Sequence, residues 1–337
     1  MRCAPTLSLG ELWWVAAMNA SGHDWVLVLA AGEGVRLRQL TRSADGVSVP
    51  KQYCSLQGGP SLLEETLHRA ASVTDAEHIS LIVADQHRRW WQPAQSALPA
   101  QRLIVQPRNR GTANGILLQL LQIMRLDPDA DIMLLPSDHF VADEPTLTRA
   151  MHRALMRLRA APEEIVLLGM EPTFPDPDLG YIAPGRGCAQ GTFAVAAFVE
   201  KPSVQKAREL IASGALWSTF IVAAHASSLL ALFECHYPQV VSAMRQALAA
   251  ELEAPARLAD LYETLPDLDF SRDFLARVDR RQLRVLPVAG CGWSDLGTPE
   301  HVAQALSQLP PADDIGKSAA VRGAPVNLAN ALRATAP

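Results

Sequence analysis

Residues Trp25 to Gln57 read WVLVLAAGEGVRLRQLTRSADGVSVPKQYCSLQ, and this stretch decides the fold. Trp25 to Ala30 is a short, nearly continuous apolar run, the pattern of a strand buried on both faces. It ends in Ala30-Ala31-Gly32-Glu33-Gly34, small residues that let backbone amides approach a bulky anion closely. Arg36 stands at the expected start of a helix, whose N-terminus favours negative charge. After a polar loop containing Asp45-Gly46, Pro50-Lys51-Gln52 brings a second cation. Strand, glycine turn, arginine and lysine together read as a phosphate cradle.

Outward from the cradle, strands and helices alternate. Ser61 to Ala71 carries apolar residues at helical spacing, and Ala113 to Leu126 and Glu144 to Arg159 are further helices. Ile79 to Ala84, Arg102 to Gln106, Ile132 to Leu135 and Ile165 to Leu168 read as strands. That alternation in the first half implies a parallel sheet with helices on both faces; the expected fold is three-layer α/β/α, Rossmann-like, with a mostly parallel mixed sheet. Ligands in such sheets sit outside the carboxyl ends of the strands, where Gly32, Gly34 and Asp138 all fall. The second half holds strands at Gly180 to Ile182, Phe193 to Val199, Leu216 to Ala224 and Leu283 to Pro287. Ser203 is placed to cap a helix running to Ser213, and another helix starts at Pro299. The Arg88-Arg89-Trp90-Trp91 segment reads as a surface helix whose tryptophans pack.

The 337 residues include 49% hydrophobic and 19% charged side chains, ordinary for a folded α/β chain with a substantial core. A net charge of −5 argues against nucleic acid as the main partner, so cations must be concentrated at the site. Five scattered cysteines without a C-x-x-C pair fit free thiols in a reducing cytoplasm. No run is long and apolar enough to span a bilayer, and Leu7 to Ala20 is too short and interrupted by Glu11 to serve as a signal peptide. The expected organisation is a disordered leader over 1–23, with translation able to start at Met18, one domain over 24–309, and a disordered or loosely packed tail over 310–337.

A dinucleotide-binding fingerprint would need a third glycine where Leu37 stands, and no G-K-[ST] follows to make a P-loop. What the chain does carry is Ala31-Gly32-Glu33-Gly34-Val35-Arg36-Leu37 followed by Pro50-Lys51-Gln52. Then come Arg110-Gly111-Thr112-Ala113, Leu135-Pro136-Ser137-Asp138-His139, Gly180-Tyr181-Ile182, Phe198-Val199-Glu200-Lys201-Pro202 and Gly292-Trp293-Ser294-Asp295-Leu296-Gly297. In this order and over most of the chain, these motifs resemble those of the sugar-phosphate nucleotidylyltransferases, and within them the mannose-1-phosphate guanylyltransferases.

The resemblance implies the nucleotide-diphospho-sugar transferase fold and a reaction between GTP and mannose 1-phosphate that gives GDP-mannose and pyrophosphate. It implies Ala30, Ala31, Gly32, Gly34, Arg110, Thr112 and Asn114 as nucleotide-binding residues, and Arg36, Lys51 and Asp138 as catalytic ones. Gly180, Glu200, Lys201 and Ser218 would meet the sugar phosphate, and Asp138 and Asp295 would hold Mg2+. Trp293 is read as packing and His139 as structural. A homo-oligomer is compatible with the family; nucleic acid and membrane are not expected as partners. With no second, cupin-like domain in the sequence, no attached isomerase is expected.

Three departures stand out. Val35 replaces a Thr or Ser, Asn114 replaces a proline, and Trp217-Ser218-Thr219-Phe220-Ile221-Val222 replaces the family's W-N-S-G-M-F. The last exchanges an asparagine amide for a short hydroxyl and a glycine for a phenylalanine, so another sugar or base is the nearest alternative. A non-catalytic nucleotide-sugar sensor is the alternative of a different class, against which Arg36, Lys51, Asp138 and Asp295 are all in place.

Overall fold

The computed structural model describes residues 22–43, 45–93, 98–250, 254, 256–309 and 324–335. The apolar run at the cradle forms β1 (Asp24–Ala30). Its alternate residues enter opposite layers, Val26, Val28 and Ala30 on one side and Trp25 and Leu27 on the other. A strand buried this way needs helices on both faces of its sheet, and both layers are filled. Helices Leu62–Ala71, Glu144–Ala160, Val204–Ala212 and Pro299–Ser307 pack on the first face. Thr112–Ile123, Ala226–His236, Pro238–Ala249 and Ala256–Thr264 pack on the second.

The other strands are β2 (Ile79–Ala84), β3 (Leu103–Gln106), β4 (Asp131–Pro136), β5 (Ile165–Met170), β6 (Gly180–Gly187), β7 (Phe193–Val199), β8 (Leu216–His225) and β9 (Leu283–Val288). They form one sheet in the order β3-β2-β1-β4-β8-β5-β9-β7-β6. The β3-β2-β1-β4 half is parallel throughout, as alternation with helices requires. β8 runs antiparallel to β4, β5 and β6, which makes the sheet mixed.

Local chemistry explains the helix starts. Ser61 and Glu64 form a reciprocal capping box, and Ser203 accepts from the Lys206 amide at 3.2 Å. At Arg36 the chain makes only the 3-10 turn Val35–Leu37 instead of a helix. The polar T-R-S-A-D-G segment cannot extend an apolar helical face, and Val49 returns to bond Thr41. The four-residue helix Phe270–Asp273, capped by Asp269, is too short to announce itself by periodicity.

Part of the expected tail is packed. Val326, Leu328 and Ala329 are buried, and Ser55 bonds the Val326 carbonyl and the Leu328 amide. A helix follows at Leu328–Thr335. One short helix after a Pro/Ala/Asp-rich stretch gave too few apolar repeats to be read. Residues 310–323 and 1–21 lie outside the described residues. Among the described residues, no helix is long and apolar enough to cross a membrane.

On the helix Leu62–Ala71, buried Arg69 grips Glu144 with two bonds of 2.6 and 2.9 Å. Burial pushes the neighbouring Glu65 up to about 7, with Arg69 opposing and Glu144 and Glu64 reinforcing the shift. The folded state therefore holds a proton between an unfolded value of 4.5 and about 7, so its stability falls as pH rises through that window. Glu65→Gln should melt above the wild type at pH 8 and together with it near pH 4 in scanning calorimetry. A constant offset at both pH values would contradict this assignment.

Candidate active site

The turn after β1 is stitched from beneath. Gln52 Nε2 donates to the carbonyls of Ala30 (3.0 Å) and Gly32 (2.9 Å), and Tyr53 Oη donates to Ala30 (3.1 Å). These bonds use the carbonyls from below the turn. Gly34 has φ +59°, and a Cβ there would lie 2.9 Å from the Lys51 nitrogen. Glycine is thus required twice, for its backbone conformation and for the approach of Lys51.

Lys51 is only 5% exposed. Its Nζ lies 2.9 Å from Asp138 Oδ2 and donates to the backbone carbonyl of Asp295. Asp138 follows β4; Asp295 sits in the turn after β9. Burial works against charge on Asp138, but Lys51 outweighs it and holds the carboxyl below its usual range. Asp295 is buried more deeply. Its Oδ1 accepts from Gly297 and His301 (both 2.9 Å) and its Oδ2 from Arg36 Nη2 (3.1 Å). Burial again opposes its charge, and the His301 bond, Lys51 and Arg36 together hold it far below the carboxylate range. The bond to Asp295 raises the pKa of His301, whose other nitrogen lies 3.4 Å from Asp176. Arg36 also reaches Asp178 at 3.4 Å and is half exposed.

His139 accepts from the Trp293 indole at 3.2 Å, which assigns its proton to Nε2, 3.8 Å from Asp138. Burial lowers its pKa to about 4. Trp293 packs edge-on against it, with ring centroids 5.1 Å apart. Both residues lie directly at the charged centre.

Two cavities meet here. The larger, 340 Å³, is lined by Ala31, Gly32, Thr112, Asn109 and Gln106 among others. The smaller, 140 Å³, is lined by Lys51, Asp178, Gly180, Ser218 and Asp295 among others. Arg36, Asp138, His139, Glu200, Phe220 and Ser271 line both and form their seam. Gly180 stands opposite Ser218 in the β6–β8 pairing, and a Cβ on it would lie 2.7 Å from Glu200 Oε2. Gly180, Glu200 and Ser218 are therefore one cluster. Burial raises the pKa of Glu200, and nearby Asp269 adds to the shift.

Some residues lie elsewhere than the motifs implied. Arg110 donates to the carbonyls of Tyr262 (2.7 Å) and Glu263 (2.6 Å), and Asn114 donates to those of Arg110 (2.6 Å) and Pro266 (2.9 Å). Neither lines either of the two cavities; both fix the loop that carries Thr112, whose hydroxyl accepts from the Phe270 amide. Lys201 is exposed, in a left-handed backbone conformation (φ +46°), and lines neither cavity. Asp178, Ser271, Gln52, Asp176 and His301 were not anticipated. Only Gln52, quoted within Pro50-Lys51-Gln52, had a signal in the sequence.

Two groupings could take a cation, one of carboxylates alone and one that adds a histidine nitrogen. Asp138 and Asp295 both lie beside Lys51, the second through its backbone carbonyl, and both line the smaller cavity, where their carboxylates could join phosphate oxygens around Mg2+. Asp176, Asp295 and His301 place one ligand atom each within 4.8 Å, but His301 already bonds Asp295 and reaches Asp176.

Glycine turn, buried lysine and two carboxylates lie together at the carboxyl edge of the sheet, where open α/β folds place their ligand sites. More narrowly, the chain belongs to the nucleotidyl transferase family, whose model matches residues 25–310. It is 31% identical over 81% of its length to the xanthan biosynthesis protein XanB of Xanthomonas campestris, and 30% identical over 83% to the mannose-1-phosphate guanylyltransferase of Escherichia coli. It spans 57% and 59% of the lengths of those two relatives. A crystal structure from Thermus thermophilus, described as a mannose-1-phosphate geranyltransferase, is 29% identical with a TM-score of 0.74. That match covers 86% of this chain and 80% of the other.

Gly34→Ala should cost about 1 kcal/mol or more, from the left-handed backbone and the displaced Lys51 amide. Urea unfolding measures this, and an unchanged midpoint would remove the close-approach argument.

Proposed function

We propose that this chain transfers a nucleotidyl group from a nucleoside triphosphate to a sugar 1-phosphate, with GTP and mannose 1-phosphate as the favoured pair. One observation carries the reading: two cavities adjoin at a seam beside a buried lysine and two carboxylates. The larger, floored by the glycine turn, suits the nucleotide; the smaller suits the sugar phosphate. An oxygen of the sugar phosphate forms a bond to the α-phosphorus, and the bond from that phosphorus to the bridging oxygen breaks. Pyrophosphate leaves with the electron pair. The substrate is its own nucleophile, so the protein's task is to hold two anions in line and offset their charge.

Lys51 is assigned to the reacting phosphates and Arg36 to the triphosphate. Ala31 and Gly32 line the triphosphate end, and Glu200 and Ser218 are assigned to sugar hydroxyls. Mg2+ would be held by Asp138 and Asp295; when bound it supplies further positive charge to the phosphate oxygens. The names of the Escherichia coli and Xanthomonas relatives support guanylyl transfer and a role in polysaccharide synthesis. Free Cys54, Cys188, Cys235 and Cys291 suit the reducing cytoplasm in which we place the reaction. Phe220 and Ser218 favour, as a second reading, the same transfer to a different sugar.

Pyrophosphate release assayed over several nucleoside triphosphates and hexose 1-phosphates tests the proposal, and absence of turnover with every pair rejects it. Lys51→Ala and Asp138→Ala should each lower kcat by roughly 10²–10³, the scale of losing one charge-stabilising group; near-normal rates in both would refute their roles. Chelation should abolish turnover and added Mg2+ restore it. Activity that survives exhaustive chelation would reject the metal.

A further inference from the structure

Among the described residues, four non-glycine side chains have left-handed backbones: Gln190, Lys201, Phe220 and Leu296. Phe220, at φ +61°, is the one that lines both cavities. Such a conformation disfavours a bulky residue, and strain of this kind persists only where surrounding structure imposes it. Here a bulge imposes it. In the β5–β8 pairing Leu167 faces Val222 and Gly169 faces Ser218, so three residues of β8 lie opposite the single Leu168. The Thr219 hydroxyl donates to the Leu168 carbonyl (2.9 Å) and accepts from the Ile221 amide (3.2 Å), stitching the bulge shut. Phe220 is thereby pushed out of the ladder, and its ring packs at 5.8 Å against buried Phe270, beside Ser271 of the seam.

We infer that Phe220 is the specificity-determining residue of the smaller cavity, and that its ring admits compact hexose 1-phosphates while excluding N-acylated hexosamine 1-phosphates. The inference rests on the transferase reading above. Hydrogen-bonding groups for a sugar, Ser218 and Glu200, cluster at Gly180, whereas the Phe220 ring offers only apolar contact. A hydroxyl-bearing ring can pair with the first and lay a C–H face on the second. An acylamino group turned toward Phe220 would meet occupied volume and lose its hydrogen bonds to water without replacement.

The test compares wild type, Phe220→Gly and Phe220→Ala with mannose, glucose and N-acetylglucosamine 1-phosphates. Calorimetric binding is measured in the presence of GTP and Mg2+ alongside pyrophosphate release. In the wild type, hexose 1-phosphates should be preferred, and Phe220→Gly should shift the ratio toward the N-acetyl sugar by on the order of tenfold or more. An unchanged ratio overturns the inference. Loss of all wild-type turnover would strike the transferase reading instead, leaving the binding ratios to judge Phe220. Glycine fits a left-handed position and alanine does not, so Phe220→Gly should melt above Phe220→Ala. The reverse order would show that the bulge does not impose the strain.

Discussion

The site depends on one buried cation. Lys51 Nζ is held between the Asp138 carboxylate and the Asp295 carbonyl, and these come from the ends of different parts of the sheet. Withdrawing an ammonium from water costs several kcal/mol unless its partners are well placed. That requirement links the elements to one another. β1 must end in a glycine turn so that Gly34 can lie against the Lys51 backbone, β4 must deliver Asp138, and the chain after β9 must present a carbonyl. The pair is poor evidence for stability in itself. Its worth lies in fixing a positive charge at the seam before any anion arrives.

The second cation is arranged differently. Arg36 is half exposed, and its contacts to Asp178 and Asp295 are long, 3.4 and 3.1 Å. The pair with Asp178 is exposed on both sides and contributes little, so the guanidinium can exchange that carboxylate for another anion at small cost. Lys51 has no such freedom. A fixed charge at the seam and a movable one at the rim would suit the proposed transfer, in which a polyanion is first admitted and then held. Asp295 serves both cations, and His301 steadies it from behind, so the turn after β9 can remain ionised although it is buried.

Much of the fold was legible because burial on both faces leaves a plain mark. The run from Trp25 to Ala30 has the length and composition of an interior strand, and strands alternating with helices point to a parallel half-sheet. The antiparallel insertion of β8 left no mark, since apolar runs look alike in either direction. Gly32, Lys51 and Asp138 could be placed at one crevice from residue type and position, whereas Glu200 was placed there by the resemblance alone. Arg110 and Asn114 were not readable, because a side chain that binds loop carbonyls and one that binds a ligand have the same chemistry. His301 was an isolated histidine until the helix Pro299–Ser307 brought it to Asp295. Leu328 was hidden by the brevity of its helix.

At two positions beside the site the backbone keeps a shape that suits glycine although a bulky side chain stands there. Phe220 occupies a left-handed position that Thr219 fastens to β5. Leu296, fully buried at φ +48°, does the same between Asp295 and Gly297. Strain at these points has to be offset by packing, and both are surrounded by it: Phe220 by Phe270, Leu296 by the core it shares with Leu37 and Val49. Phe220 shapes the wall of the smaller cavity, and Leu296 adjoins the carboxylate that lines it. Core packing is therefore what holds these two strained backbones, and with them the wall of the smaller cavity and the Asp295 carboxylate, in register.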